Sequence, residues 1–180
     1  MLEINWILFI ISIPSTVRAR SGLSPTTDAR NINHQKVYKK QKMPAQTYLD
    51  TTQAAGQAFY QQYHDKGEIV MLNLLKFREV ADYSLSPELA PATPISGEEA
   101  YQRYMKHTTP FLQEAGGELL YSGKGGSFLI GPEGEGWDMV LLVKHRSAEA
   151  FIGFARNEGY LKGIGHRTAA LADSRLLPMK

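Results

Sequence analysis

An α+β fold in the order βαββαβ, with an extra helix in front, is what this sequence predicts. Three observations predict it. Apolar runs of strand length alternate with segments of helical period from residue 47 to the C terminus. The first such run, "EIVMLNLLKFRE" (68–79), is apolar on both faces: Ile69, Met71, Leu75 and Phe77 share one, Val70, Leu72 and Leu74 the other. A helix start is written into "SGEE", where Ser96 and Glu99 have the spacing of a capping box.

The elements follow in order. "TYLDTTQAAGQAFYQQYHDKG" (47–67) reads as a helix; Leu49, Gln53, Gly56, Phe59, Tyr60 and Tyr63 partly share a face and Gly67 stops it. A strand over 69–77 comes next. Residues 80–96 hold Pro87, Pro91 and Pro94 and form a long loop, of the kind that covers sites. The helix capped by Ser96 points Ala100, Tyr101, Tyr104, Thr108, Phe111, Leu112 and Ala115 inward, and Gly116-Gly117 ends it. Pro110 lacks an N–H and predicts a kink or break near His107. "ELLYSGKGGSFLIG" (118–131) is a strand bent at its glycines, "PEGEG" a turn, and "WDMVLLVKH" (137–145) the third strand. Residues 147–174 give two helical pieces split around Gly159-Tyr160, and "RLLP" (175–178) a last short strand. Split βαβ units in this order build a ferredoxin-like sandwich, an antiparallel sheet with helices on one face. The helices suffice for one face only, so doubly apolar strands imply a second sheet, and hence a homodimer.

Composition narrows the function. The chain has 180 residues and no cysteine, which excludes disulfides, thiolate zinc sites and cysteine nucleophiles and fits a cytoplasmic protein. The net charge of +2 is uneven: residues 1–43 carry seven Lys/Arg against Glu3 and Asp28. The rest is mildly acidic, so nucleic-acid binding is not expected. Residues 1–43 read as a disordered or targeting-like extension to a single domain over 44–180. "INWILFIISI" (4–13) is too short for a membrane span of roughly 20 residues, although its length suits a signal core and leaves export as the alternative. Translation starting at Met43 is a further alternative, making the extension a start-site artefact.

Several motifs together carry a resemblance. "VMLNLLKFRE", "GEEAYQRYMKHTTPFL", "GGELLYSGKG", "WDMVLLVKHRSAEAFIGFARNEGY" and "HRTAALADSRLLP" resemble, over roughly 68–178, the domain-of-unknown-function family 1330 (DUF1330). The resemblance implies a dimeric α+β barrel and supplies no reaction. Relatives by fold include cofactor-free monooxygenases, muconolactone-type isomerases and haem enzymes, the last with His145 or His107 as a haem ligand by analogy alone, and fold alone is a weak warrant for activity.

Candidate residues fall into four groups. Central pairing of the first and third strands brings Lys76 and Arg78 toward Asp138, with Trp137 beside them. This is an anion- or carboxylate-binding mouth with Asp138 as orienting group or base, or else a strand-end salt bridge under a Trp137 lid. Asn73, an amide among apolar neighbours, binds either a ligand or a protein group. His166 suits acid–base chemistry, and Arg167 a carboxylate ligand or a structural partner such as Asp173 or Asp138. Asp173-Ser174 reads as a cap or turn. Tyr101 and Tyr104, with His107, line a pocket or fill the core. No histidine pair stands at i, i+4, and no metal or cofactor is expected. Two functions result. One is a homodimer that binds a small aromatic or carboxylate-bearing molecule, as an enzyme of the cofactor-free isomerase or monooxygenase type. The other is a non-catalytic dimeric sensing or interaction module.

Overall fold

The computed structural model describes residues 46–180, and Thr47–Lys180 form one compact unit. The expected extension, the apolar stretch 4–13 and the alternative start at Met43 lie outside the described residues. Ten elements follow in order: α1 (Gln53–Tyr63), β1 (Ile69–Phe77), a 3-10 turn (Pro87–Leu89), α2 (Gly97–Glu114), β2 (Glu118–Lys124), β3 (Met139–His145), α3 (Ala148–Ala155), α4 (Glu158–Leu161), α5 (Ile164–Ala170) and β4 (Leu171–Met179). The strands form one sheet in the order β2-β3-β1-β4, every neighbour antiparallel. With α2 joining β1 to β2 and α3–α5 joining β3 to β4, this is the ferredoxin-like sandwich, with α1 in front. No helix among the described residues is long and apolar enough to cross a membrane.

β1 has the bounds its apolar run predicts. The capping box of α2 is complete: Ser96 Oγ accepts the Glu99 amide at 3.1 Å and the Glu99 carboxylate accepts the Ser96 amide at 2.9 Å. α2 then runs unbroken through Pro110, so of the expected kink or break there is no break. The proline lies on the exposed side of the helix, where the carbonyl it leaves unpaired can reach water. Three further expectations are corrected. β2 ends at Lys124, and beyond it the chain forms an arm tied by the Ser127–Gly136 bridge. The segment after Ser147 makes three helical pieces rather than two, broken at Arg156-Asn157 and at Lys162-Gly163, because Asn157 Oδ1 caps a new turn by accepting the Tyr160 amide. β4 begins at Leu171, so Asp173 and Ser174 are strand residues, held there by pairing with Lys76 and Leu75.

The helix-side face of the sheet carries two cores. Leu75 and Leu141 belong to one, with Tyr101, Tyr104, Phe154, Tyr160 and Leu171. Ile69 and Met71 belong to the other, with Ala148, and Phe59 and Tyr63 of α1 pack on it. The opposite face is different. Leu72 is paired with Leu142 and Leu177, and Tyr121 with Leu142, which makes one apolar row across all four strands. Leu177 is 54% and Tyr121 53% exposed. None of these four residues belongs to either core.

Candidate functional site

Asn73 lies on the helix-side face of β1, between Met71 of one core and Leu75 of the other. It is only partly buried, and its Nδ2 donates to the Met71 carbonyl at 3.1 Å. The amide therefore sits at the seam of two apolar clusters and bonds its own strand.

At the far end of β1, Asp138 comes close to the strand as central pairing requires, but its role is different from the expected one. Its Oδ2 accepts the Phe77 amide at 2.6 Å, its N–H donates to the Leu75 carbonyl, and its carbonyl accepts the Gly125 amide. Lys76 reaches the Gly136 carbonyl instead of a carboxylate. Arg78 lies beyond the register shift after Lys76: its N–H donates to the Ala170 carbonyl, and its charge adds to the Ser84 hydrogen bonds that lower the Asp82 pKa. No ion pair joins either cation to Asp138 among the described residues. Trp137 is buried beneath the guanidinium of Arg175, which lies 5.0 Å from its ring centroid and 4.5 Å from that of Tyr48. Arg175 is held in that stack by Asp173, whose Oδ1 accepts from it at 2.7 Å and also accepts the Tyr48 and Ser174 amides. Partial burial pulls the Asp173 pKa upward, but these donors outweigh it and hold the carboxyl below its usual range.

The second group gathers between α2 and α4–α5. Tyr101 and Tyr104 are buried one turn apart on α2, as their spacing predicts, and the Tyr104 hydroxyl meets that of Tyr160 at 3.1 Å. Burial raises the pKa of both Tyr101 and Tyr160, with the Arg167 charge acting in the opposite sense. Arg167 donates to the Leu49 carbonyl at 2.9 Å and lies 3.4 Å from Ser174 Oγ, tying α5 to the chain ahead of α1. Its partner is therefore a backbone carbonyl, not the Asp173 or Asp138 carboxylate. His166, half-buried on the same helix, is bonded through Nδ1 to the Tyr83 hydroxyl at 2.8 Å. Burial lowers its pKa, and Arg103 and His107 add to the effect, so the imidazole is neutral at pH 7. His107 Nε2 meets the Gly159 carbonyl at 2.9 Å. The structure thus brings Tyr101, Tyr104, His166 and Arg167 into one region, and sets Lys76, Trp137 and Asp138 in another.

Two members of the first region, Tyr83 and Tyr160, are not singled out by sequence reasoning. Tyr83 sits in a proline-rich loop without period, and Tyr160 follows a one-turn cap; the only available signal was Asn157, three residues before Tyr160. For metals, His64, Asp65 and Glu149 are the one group of possible ligands among the described residues, their ligand atoms within 4.8 Å of one another. Both imidazole nitrogens already meet carboxylates, at 2.6 Å for Glu149 and 2.9 Å for Asp65. A shallow cleft of about 310 Å³ lies between the end of α2 and α3, and none of the candidate residues lines it.

No protein-family model matches the chain, and no curated protein does. Solved structures do. The RPA0582 protein of Rhodopseudomonas palustris, described as of unknown function, is 32% identical, with a TM-score of 0.64 over 75% of this chain and 97% of its own. Its methylated form matches at 32% identity and a TM-score of 0.66, over 74% and 94%. The chain belongs to the RPA0582 family. The likeness covers almost the whole of RPA0582, and no activity is attached to that family by these structures. A dimeric protein of unknown function and ferredoxin-like fold from Bacteroides fragilis matches at 10% identity and a TM-score of 0.38, over 63% of this chain and 95% of its own.

Proposed function

We propose that the chain works as a DUF1330-like homodimer, a dimeric α+β barrel made by two sheets meeting on their helix-free faces, and that it is a binding or interaction module without catalysis. One observation supports the absence of catalysis most directly. Asn73, Asp138 and Arg167, the polar groups best suited to hold a ligand, each bond the chain's own backbone. The apolar row of Leu72, Leu142, Leu177 and Tyr121 supports the dimer, because a contiguous exposed apolar patch on a sheet face marks an interaction surface. A cysteine-free chain fits a cytoplasmic setting. Sedimentation equilibrium tests the dimer: a monomer at all concentrations sinks it.

A second reading, binding of a small aromatic or carboxylate molecule with acid–base chemistry, is favoured by the His166–Tyr83 pair. A neutral imidazole beside a tyrosine hydroxyl is a competent proton carrier. A thermal-shift screen of aromatic carboxylates against wild type, His166→Ala and Asn73→Ala separates the two. A hit that stabilises wild type and Asn73→Ala but not His166→Ala favours the second reading. No hit, or a hit that stabilises all three equally, favours the first.

A further inference from the structure

The hairpin between β2 and β3 is absorbed by neither the core nor the candidate residues. Residues 125–136 leave the sheet as an arm, held at its root by Gly125 N–H to the Asp138 carbonyl and Trp137 N–H to the Gly126 carbonyl, and by the Ser127–Gly136 bridge. Its tip is apolar and bare: Leu129 is 100% exposed and Ile130 92%. Such residues at a loop tip cost solubility and find use in contacts.

The root shows which side of the sheet the arm serves. Lys76 and Arg175 belong to the helix-free face, since Lys76 pairs with Asp173 and Arg175 with Leu74, in alternation with the helix-side pairs. Lys76 donates to the Gly136 carbonyl and Arg175 covers the Trp137 ring. The root of the arm is therefore held by side chains of the uncovered face. Charge points to the occupant. The arm carries Glu133 and Glu135; on the face Lys144 is paired with Glu118 and Arg175 with Asp173, which leaves Lys76, bonded to a carbonyl, as the cation a second copy offers the arm, while an anionic membrane would repel it.

We infer that the arm of residues 125–136 reaches onto a second copy of this chain and seats Leu129 and Ile130 against it. This rests on the homodimer reading. The chain has no cysteine, so Leu129→Cys gives a single thiol for a benzophenone cross-linker. Equal parts of ¹⁴N- and ¹⁵N-labelled protein are mixed, irradiated and mapped. Hybrid-isotope cross-linked peptides are expected; cross-links confined to one isotope overturn the proposal. A second measurement uses sedimentation. Leu129→Asp with Ile130→Asp, at positions without burial to lose, should keep the wild-type circular dichroism and weaken the dimer by about tenfold or more. A wild-type dimer with an unweakened arm variant overturns the arm and leaves the homodimer standing. A monomeric wild type removes both.

Discussion

The Asp138 carboxylate accepts the Phe77 amide at 2.6 Å, one step beyond the last ladder pair of β1 and β3 and beside the register shift of β1 against β4. An acidic side chain there does the work of a missing strand residue: it satisfies a backbone donor that the irregularity would otherwise orphan. Asp138→Ala should lower stability by about 1.5–2 kcal/mol, the lower part of the range for a hydrogen bond to a charged group because this one is exposed, as read from urea unfolding. An unchanged midpoint would show that water replaces the carboxylate at no cost.

The hydroxyl pair of Tyr104 and Tyr160 makes a sharper demand, because both rings are buried. Removing one hydroxyl strands the other. Tyr104→Phe and Tyr160→Phe should each cost about 1–2 kcal/mol, and the double variant less than their sum. Strict additivity in the double-mutant cycle would mean that the hydroxyls do not depend on each other.

His145 sets a pH dependence. It is buried against Phe151 and Phe154, and burial pushes its pKa down to about 4 from an ordinary 6.5. Between those values the unfolded chain binds a proton and the native chain does not, so stability rises with pH across the window and falls as pH drops from 6.5 toward 4. The loss from this group is at most about 3 kcal/mol. His166, lowered in the same direction, adds to it. Unfolding midpoints between pH 7 and pH 4 should be flatter for His145→Phe than for wild type; parallel curves would remove His145 from the account.

Gly97 is required for lack of space. A Cβ at this position would stand 2.5 Å from the carbonyls of Arg78 and Ala170 and 2.7 Å from the Arg78 amide, all backbone. Neither the residue after β1 nor the end of α5 can yield without breaking the backbone bonds that join them, Arg78 N–H to the Ala170 carbonyl and Gly97 N–H to the Arg78 carbonyl. Gly97→Ala should destabilise by about 2–3 kcal/mol in thermal or urea unfolding, whereas alanine at Gly153, where nothing lies within 4 Å, should not. Equal stability of the two variants would contradict the packing at the start of α2.

Asn73→Leu tests the seam between the two cores. The lost bond is local, to the Met71 carbonyl, and the new side chain joins apolar neighbours on both sides. The change in stability should stay within about 1 kcal/mol of wild type. A much larger loss would reveal a second partner for the amide.

Much of the fold is legible from local pattern. β1 is bounded by Gly67 before it and by charged residues after it, and the cap of α2 is stated by Ser96 and Glu99 themselves. The α5–β4 boundary is hidden because Ala169-Ala170-Leu171-Ala172 prefers helix, and only pairing with β1 makes Leu171 a strand residue. For the candidate residues, Asn73 is conspicuous in sequence but its partner is not, since a bond back to residue 71 leaves no trace in composition. The burial of Tyr101 and Tyr104 follows from helical spacing. Arg167 could not be assigned, because its acceptor, the Leu49 carbonyl, lies 118 residues away and could be named only once the strands were ordered.

The leading helix has a dynamic consequence. α1 buries none of its residues fully and rests on the smaller core through Phe59 and Tyr63, the latter donating its hydroxyl to the Pro178 carbonyl at 2.9 Å. Its release uncovers the smaller core of Ile69 and Met71 but leaves the Tyr101–Tyr160 core intact. Amide protons of α1 should therefore exchange with deuterium through a sub-global opening, well before those of β1 and β3, which wait for the whole sheet to come apart.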